Sequence, residues 1–282
     1  MSKNNNPEQH LLAERLGDYV HKHYTHLHRP HRHSFYHLVL FTEGGGSHTI
    51  DFVRFKVKPY QAYFMTPGQV HGWDFKGDIQ GYIVHFSQSF FTPFLQNEHY
   101  IDRFGFFRGI SEESVCQLPV TIHEKVTSLF ESILTELRSD HTYALDMIRM
   151  RLLELFITVD ENCRKNGNQQ LPQHKNQMLQ RLLSLIDTHY IKMRLPKEYA
   201  DLMNITANHL NAFVQDMLGK TAGEVIRDRV LLEAKRLLTN ADMTIAEIGY
   251  YLNFKDNAYF NRFFKKYTGQ TPETFRKHFI QL

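Results

Sequence analysis

The sequence predicts an α+β chain in two parts: a β-rich first portion with two trailing helices, then an all-helical second portion. Three observations carry this. Short β-branched and aromatic runs recur through the first third of the chain between Gly- and Pro-bearing turns. From about residue 120 the apolar period lengthens from two to the helical i, i+3, i+4, i+7. Finally, "RKNGNQQLPQHKN" (164–176) is polar, carries Gly and Pro, and has no period, which reads as a linker. The expected boundaries are 1–163 for the first domain, 164–177 for the linker and 178–282 for the second domain.

In the first portion, "FYHLVLF" (35–41), "GSHTIDF" (46–52), "QAYFMTPGQVH" (61–71) and "GYIVHFS" (81–87) read as strands. "TEGGG" and "KVKPY" read as the turns between them, at the spacing of a sandwich or barrel. Leu129, Ile133, Leu134 and Leu137, then Leu145, Ile148, Leu152, Leu155, Phe156 and Val159, predict two amphipathic helices. Their apolar seams must be covered, by their own barrel or by a second subunit.

The second portion ends in crowded aromatics. In "TIAEIGYYLN", Thr244 is placed as N-cap and Ile245, Ile248 and Leu252 as the buried side. Gly249 sits where a following helix would cross closely, and Asn253 can take the left-handed conformation that ends a helix. Asp256 then caps a second helix with Phe260, Phe263, Phe264 and Tyr267 on one face. Asn257, Ala258, Asn261, Arg262 and Lys265 lie on the other. Gly269 stops it, and Thr271–Pro272 starts another. Two short helices with a tight turn, the second exposing Asn and Arg, describe a helix-turn-helix.

That unit occurs twice. Thr206 precedes Asp256 by 50 positions, and Leu210, Phe213, Val214 and Met217 repeat the spacing of Phe260, Phe263, Phe264 and Tyr267. Gly219 matches Gly269, Thr221 matches Thr271, and before the cap Glu198, Ala200 and Asn204 match Glu247, Gly249 and Asn253. "GEVIRDRVLLEAKRLL" (223–238) is one helix between the copies. Two such units on a rigid spacer can enter successive major grooves about 34 Å apart.

Charge agrees. Residues 171–282 carry 16 Lys+Arg against 11 Asp+Glu, whereas residues 1–170 carry 17 against 19 and hold 14 of the 18 histidines. Cys116 and Cys163 are the only cysteines and have no CxxC spacing, so neither a disulfide framework nor a thiolate zinc site is expected. No apolar run approaches the roughly 18 residues of a membrane span, and "MSKNNNPEQH" lacks a signal-peptide core. The expectation is a soluble, cytoplasmic protein with no membrane partner.

Residues 178–280 resemble the DNA-binding domain of AraC/XylS-type transcription regulators, most specifically through "IGYYLNFKDNAYFNRFFKKYTGQTPETFRK". The resemblance implies double-stranded operator DNA as partner, with base contacts from Asn208, Asn211 and Ala212 in the first unit and Gln215 also on its DNA-binding face. In the second they fall to Asn257, Ala258, Asn261 and Arg262, while Lys265, Lys266 and Arg276 favour phosphate. Ala212 stands where many relatives carry Arg, and Val214-Gln215 where Phe-Lys is usual, which lowers the charge of the first reading helix.

The resemblance also implies a cupin-like sensor barrel binding a small organic effector. Homodimerisation would run through the second of its helices, around Leu145, Ile148, Leu152, Leu155 and Phe156, and RNA polymerase would be a partner if the protein activates. In "RPHRHSFYHLVLF", strand alternation puts His31, His33, Phe35, His37, Val39 and Phe41 on one face, and His71 follows in "TPGQVHGW". These histidines and Trp73 are the expected effector pocket, with no cofactor required. The spacing is similar to the cupin metal-binding arrangement, with His37 where Glu is usual, so a Zn- or Ni-responsive regulator is the alternative. A cupin enzyme with an accessory helical domain is a further one. Nothing else in the chain supplies a catalytic base, and no catalytic residue is assigned.

Overall fold

Period-two patterning drives the first unit into a sheet, and period-3.6 patterning drives the second into helices. The computed structural model describes residues 11–95, 97, 100–140, 142–163, 173–239 and 242–280. The chain divides into Met1–Asn166 and Gly167–Leu282. Among the described residues no helix is long and apolar enough to cross a membrane.

The first unit opens with β1 (Leu11–Arg15) and α1 (Leu16–Leu27), neither foreseen from sequence. There follow β2 (His31–Arg32), β3 (Tyr36–Ile50), β4 (Val53–Lys56), β5 (Gln61–Met65), β6 (Val70–Phe86) and β7 (Val115–Gln117). All pairings are antiparallel. The sheet order is β1-β6-β3-β5-β7, with β2 also on β6 and β4 on β3.

Two strand expectations are corrected. "TEGGG" is not a turn but lies inside β3, which runs unbroken from 36 to 50. Its register against β6 shifts between Phe41 and Gly45. Gly44 (φ 96°) and Gly46 (φ 111°) make this possible, because a Cβ at Gly46 would lie 2.0 Å from the Asp74 carbonyl oxygen. The expected strand 61–71 breaks at Met65. Thr66–Gln69 turn the chain, and β6 continues from Val70 through the segment that sequence left unassigned.

One face of the sheet, with Leu38, Leu40, Phe64, Val84 and Phe86, is covered by α2 (His123–Leu137) and α3 (Ala144–Cys163). Phe104, Phe106 and Phe107, on short 3-10 turns, fill the remaining gap. Ile148, Leu152, Leu155 and Phe156 are fully buried in this core, and Leu145 packs against it. They are therefore no dimer surface: the seam is spent on the chain's own sheet. The large hydrophobic residues that α3 exposes are Met150 and Ile157. Cys116 and Cys163 form no disulfide, and a hydrogen bond from Cys116 holds the Cys163 thiol below its ordinary range.

The second unit holds α4 (Gln173–His189), α5 (Pro196–Leu202), α6 (Ala207–Leu218), α7 (Ala222–Leu238), α8 (Ile245–Tyr251), α9 (Asn257–Thr268) and α10 (Pro272–Ile280). Residues 164–172 of the expected linker lie outside the described residues, and 173–177 are already helical. α7 is buried along Ile226, Val230, Ala234 and Leu238 and packs on both helix pairs. Phe260 and Phe264 are buried as expected, but Phe263 is only half-buried and Tyr267 is exposed.

At Gly249 an added Cβ would meet the Phe260 side chain at 3.3 Å, which makes this the close helix crossing. Gly249→Val should therefore overpack the α8–α9 contact and cost about 1–3 kcal/mol. The measurement is the urea midpoint of the second unit's transition, which an open crossing would leave unchanged.

Candidate functional site

The two helix pairs are built by the same local chemistry. In the second, Glu247 Oε2 accepts from the Thr244 N–H at 2.7 Å and Thr244 Oγ1 accepts from the Glu247 N–H, closing a capping box at the start of α8. Asn253 takes the turn at φ 60°, and the Phe254 N–H donates to the Gly249 carbonyl. Asp256 Oδ1 accepts from the Tyr259 N–H at 2.6 Å to start α9, and Gly269 ends it at φ 79°. In the first, Glu198 accepts from the Leu195 N–H and Asn204 turns at φ 56°. The Ile205 N–H donates to the Ala200 carbonyl, Thr206 caps α6 through the His209 N–H, and Gly219 ends it at φ 66°.

These caps present one face of each second helix to solvent. α9 exposes Asn257, Ala258, Tyr259, Arg262, Lys265 and Lys266, with no acidic side chain among them. α6 exposes Asn208, His209, Ala212, Gln215 and Asp216, the last paired with Lys175. The first face is suited to a polyanion with base-edge donors, the second to weaker contacts.

The other concentration of function-bearing groups is a histidine cluster in the first unit. β2 pairs with β6 so that His31 lies opposite His71, and β3 pairs with β6 so that His37 lies opposite His85. Ring centroids are 4.3 Å apart for His31–His71, 4.8 Å for His31–His33, 4.9 Å for His37–His71 and 4.6 Å for His37–His85. His48 Nε2 lies 3.1 Å from His71 Nδ1 in a buried hydrogen bond. His33 Nε2, both His37 nitrogens, His48 Nδ1, His71 Nε2 and His85 Nε2 have no hydrogen-bond partner among the described residues. Each such buried orphan costs about 1–3 kcal/mol, so a core evolved only for packing would not hold six.

Two family models match the chain: an AraC-like ligand binding domain over residues 18–153, and a helix-turn-helix domain over residues 199–278. The chain belongs to the AraC type.

This AraC-type chain is 41% identical over 70 residues to the probable transcription factor PqrA of Proteus vulgaris, covering 25% of this chain and 57% of that one. It is 35% identical over 72 residues to the arabinose operon regulatory protein of Escherichia coli K12, covering 26% of this chain and 25% of that one. The matched regions thus span little more than half of the Proteus protein and a quarter of the arabinose regulator. A longer match, 22% identical over 261 residues, covers 88% of this chain and 87% of the transcriptional activator RhaS of Escherichia coli O81. Among solved structures, fatty acid-bound ToxT from Vibrio cholerae matches over 98% of this chain and 97% of that one, at 12% identity and a TM-score of 0.46. By name, these relatives are regulators of transcription rather than enzymes.

Several expected AraC-type contacts sit otherwise than sequence suggested. Asn211 Oδ1 accepts from the Ala222 N–H at 3.1 Å, so its side chain caps α7. Asn261 folds back onto Asn257, bonding its carbonyl oxygen at 2.8 Å and its side-chain oxygen at 3.0 Å. Arg276 donates to the Met243 carbonyl at 2.7 Å and to the Leu238 carbonyl, pinning α10 to the end of α7 rather than facing phosphate. Trp73 is buried and stacked on His48 at 3.3 Å, a wall of the core rather than the lining of an open mouth.

Sequence reading missed Tyr259 and His209 on the reading faces, and His48 and His85 in the cluster. Tyr259 precedes Arg262 and Lys266 at helical spacing, and His85 alternates with Ile83, so both signals were present.

Burial, with a smaller contribution from neighbouring rings, lowers His33 to about 4 and His85 to about 3. It holds His37, His48 and His71 well below the ordinary histidine value. These rings are neutral in the folded chain while the unfolded chain gains protons below about 6.5. Their stability contribution is therefore present above about 6.5 and is lost as the pH falls through about 4 for His33 and about 3 for His85. Scanning calorimetry should show the first unit's midpoint dropping over that window. A flat midpoint would mean that the rings are already solvated.

Proposed function

We propose that this AraC-type chain is a sequence-specific, DNA-binding regulator of transcription, acting on double-stranded operator DNA and controlled by a small organic effector held in its first unit. The observation that carries the reading is the duplicated helix pair. Each second helix is N-capped by a side chain (Thr206, Asp256) and ended by a left-handed glycine (Gly219, Gly269), and the α9 face combines Asn257, Arg262, Lys265 and Lys266. A helical hairpin with no partner has no need of a second copy of its polar face.

The effector site of this reading is the cupin-like interior around His31, His33, His37 and His71, where neutral imidazoles offer both N–H donors and lone pairs. Control follows if the effector has unequal affinity for two arrangements of the DNA-binding units, since equal affinity shifts nothing. Pairing into a homodimer is assigned to the outward face of α3. Met150 and Ile157 lie seven residues apart there and border a groove of about 380 Å³ with Leu153 and Lys125. RNA polymerase becomes a partner if the regulator activates.

Two measurements test this. Arg262→Ala should cost about 1–3 kcal/mol of specific DNA binding and relax preference at one base position. Selection from a random DNA pool reads both, and a loss spread evenly over all sequences would demote Arg262 to a phosphate contact. Ile157→Glu should shift sedimentation from dimer to monomer, whereas an unchanged dimer would move the interface elsewhere.

A further inference from the structure

We infer that Cys116 and Cys163 form a reversible thiol–disulfide pair, oxidised by a small hydroperoxide, that pins the C-terminal end of α3 to the edge strand β7.

The placement comes from two periods that meet at one margin of the core. β7 is the last strand of the sheet order, and Cys116 pairs there with Ala62 of β5. Alternation along β7 turns Val115 toward the inner core and Cys116 toward the face that the helices cover. On α3 the buried seam runs through Leu152, Leu155, Phe156 and Val159. Cys163, one helical turn beyond Val159, is its next member and packs on the same core. Strand and helix thus deliver one thiol each to the place where α3 packs on β7. Far apart in sequence and without CxxC spacing, the two cysteines gave no sign of this.

The side chains are in contact. A hydrogen bond joins the two thiols, and Cys163 Sγ lies 3.7 Å from the carbonyl oxygen of Gln117, the residue after Cys116. Thiols this close need side-chain rotation and a small backbone adjustment to reach the roughly 2 Å of a disulfide. Both are half-buried, so a small oxidant has access to them, whereas the seam behind them at Leu155, Phe156 and Val159 is sealed. The hydrogen bond from Cys116 lowers the Cys163 thiol, with burial and the nearby Asp160 opposing it. Cys163 is therefore the first to supply a thiolate.

The chemistry balances with a hydroperoxide as the only oxidant. The Cys163 thiolate attacks the terminal peroxide oxygen, an S–O bond forms, the O–O bond breaks, and the departing oxygen takes a proton and leaves as alcohol or water. The Cys116 sulfur then attacks the resulting sulfenic acid. An S–S bond forms, the S–O bond breaks, and the hydroxide leaves with the Cys116 proton as water. Two thiols have lost two electrons and the peroxide has gained them, and a dithiol reductant reverses the step. The first unit ends at Asn166, close after Cys163, so the bond fixes the point from which the chain leaves that unit, whatever the second unit binds.

The test uses the full-length chain, reduced with dithiothreitol, desalted, and treated with hydrogen peroxide. Thiol titration, a non-reducing digest read by mass spectrometry, and calorimetry follow. The expected result is a fall from two thiols per chain to none, with Cys116 and Cys163 joined within one chain and both thiols restored by dithiothreitol. The oxidised chain's first-unit midpoint should rise by several degrees, because the bond closes a long loop. Cys116→Ser should leave Cys163 as a sulfenic acid that dimedone captures, with no rise in midpoint. The wild-type digest needs no variant, and circular dichroism checks the variant's fold. Two thiols that survive peroxide would overturn the pair. So would a disulfide only between chains, or Cys163 driven to sulfinic acid while Cys116 stays reduced. A linked chain with an unchanged or lowered midpoint would overturn the pinning of α3.

Discussion

A change of parity in one strand governs the first unit. Before the glycines of β3, odd-numbered His37, Val39 and Phe41 face the inner core, and after them even-numbered His48 and Ile50 do. A strand alternates strictly, so one residue must be absorbed in between, and the irregularity between Phe41 and Gly45 absorbs it. Without it His48 would point away from His71, and Trp73 and Tyr63 would lose the ring they pack on. β6, which crosses the same region without a net change of face, brings His71 and His85 from its two ends into the same interior. The cluster is thus a product of register as much as of composition.

The two units differ in how much of this was readable. The helix pairs announce themselves because each boundary is set by neighbours in sequence: Thr244 with Glu247, Asp256 with the Tyr259 N–H, an Asn in each turn and a Gly at each end. The bulge hid because three glycines carry the same local signature whether the chain reverses or bends. α3 misled for another reason. An apolar seam of Ile148, Leu152 and Leu155 shows that something covers it but not what, and the sheet claimed it first. Asn211 and Arg276 were misread because a side chain's chemistry does not reveal whether the backbone has already engaged it.

The units also divide their energetic burdens. The second satisfies most of its buried polar groups locally: Glu233, buried in α7, is bonded by Arg229 at 3.0 Å, and α7 opens on a capping box. The first concentrates orphaned imidazole nitrogens in one place while the opposite face of the same sheet is plain aromatic and aliphatic core. Unsatisfied groups gathered at one point of an otherwise well-packed domain mark where folding has been compromised for recognition.

α7 acts as a ruler. Seventeen residues at about 1.5 Å each make a rod of roughly 25 Å, and both reading pairs pack directly on it. Since each residue also advances a helix by about 100°, inserting one into α7 would swing one reading face about a quarter-turn round from the other. Length changes that keep the two helix pairs in the same relative orientation would come close to whole helical turns, so the rod fixes a helical phase between them as well as a distance.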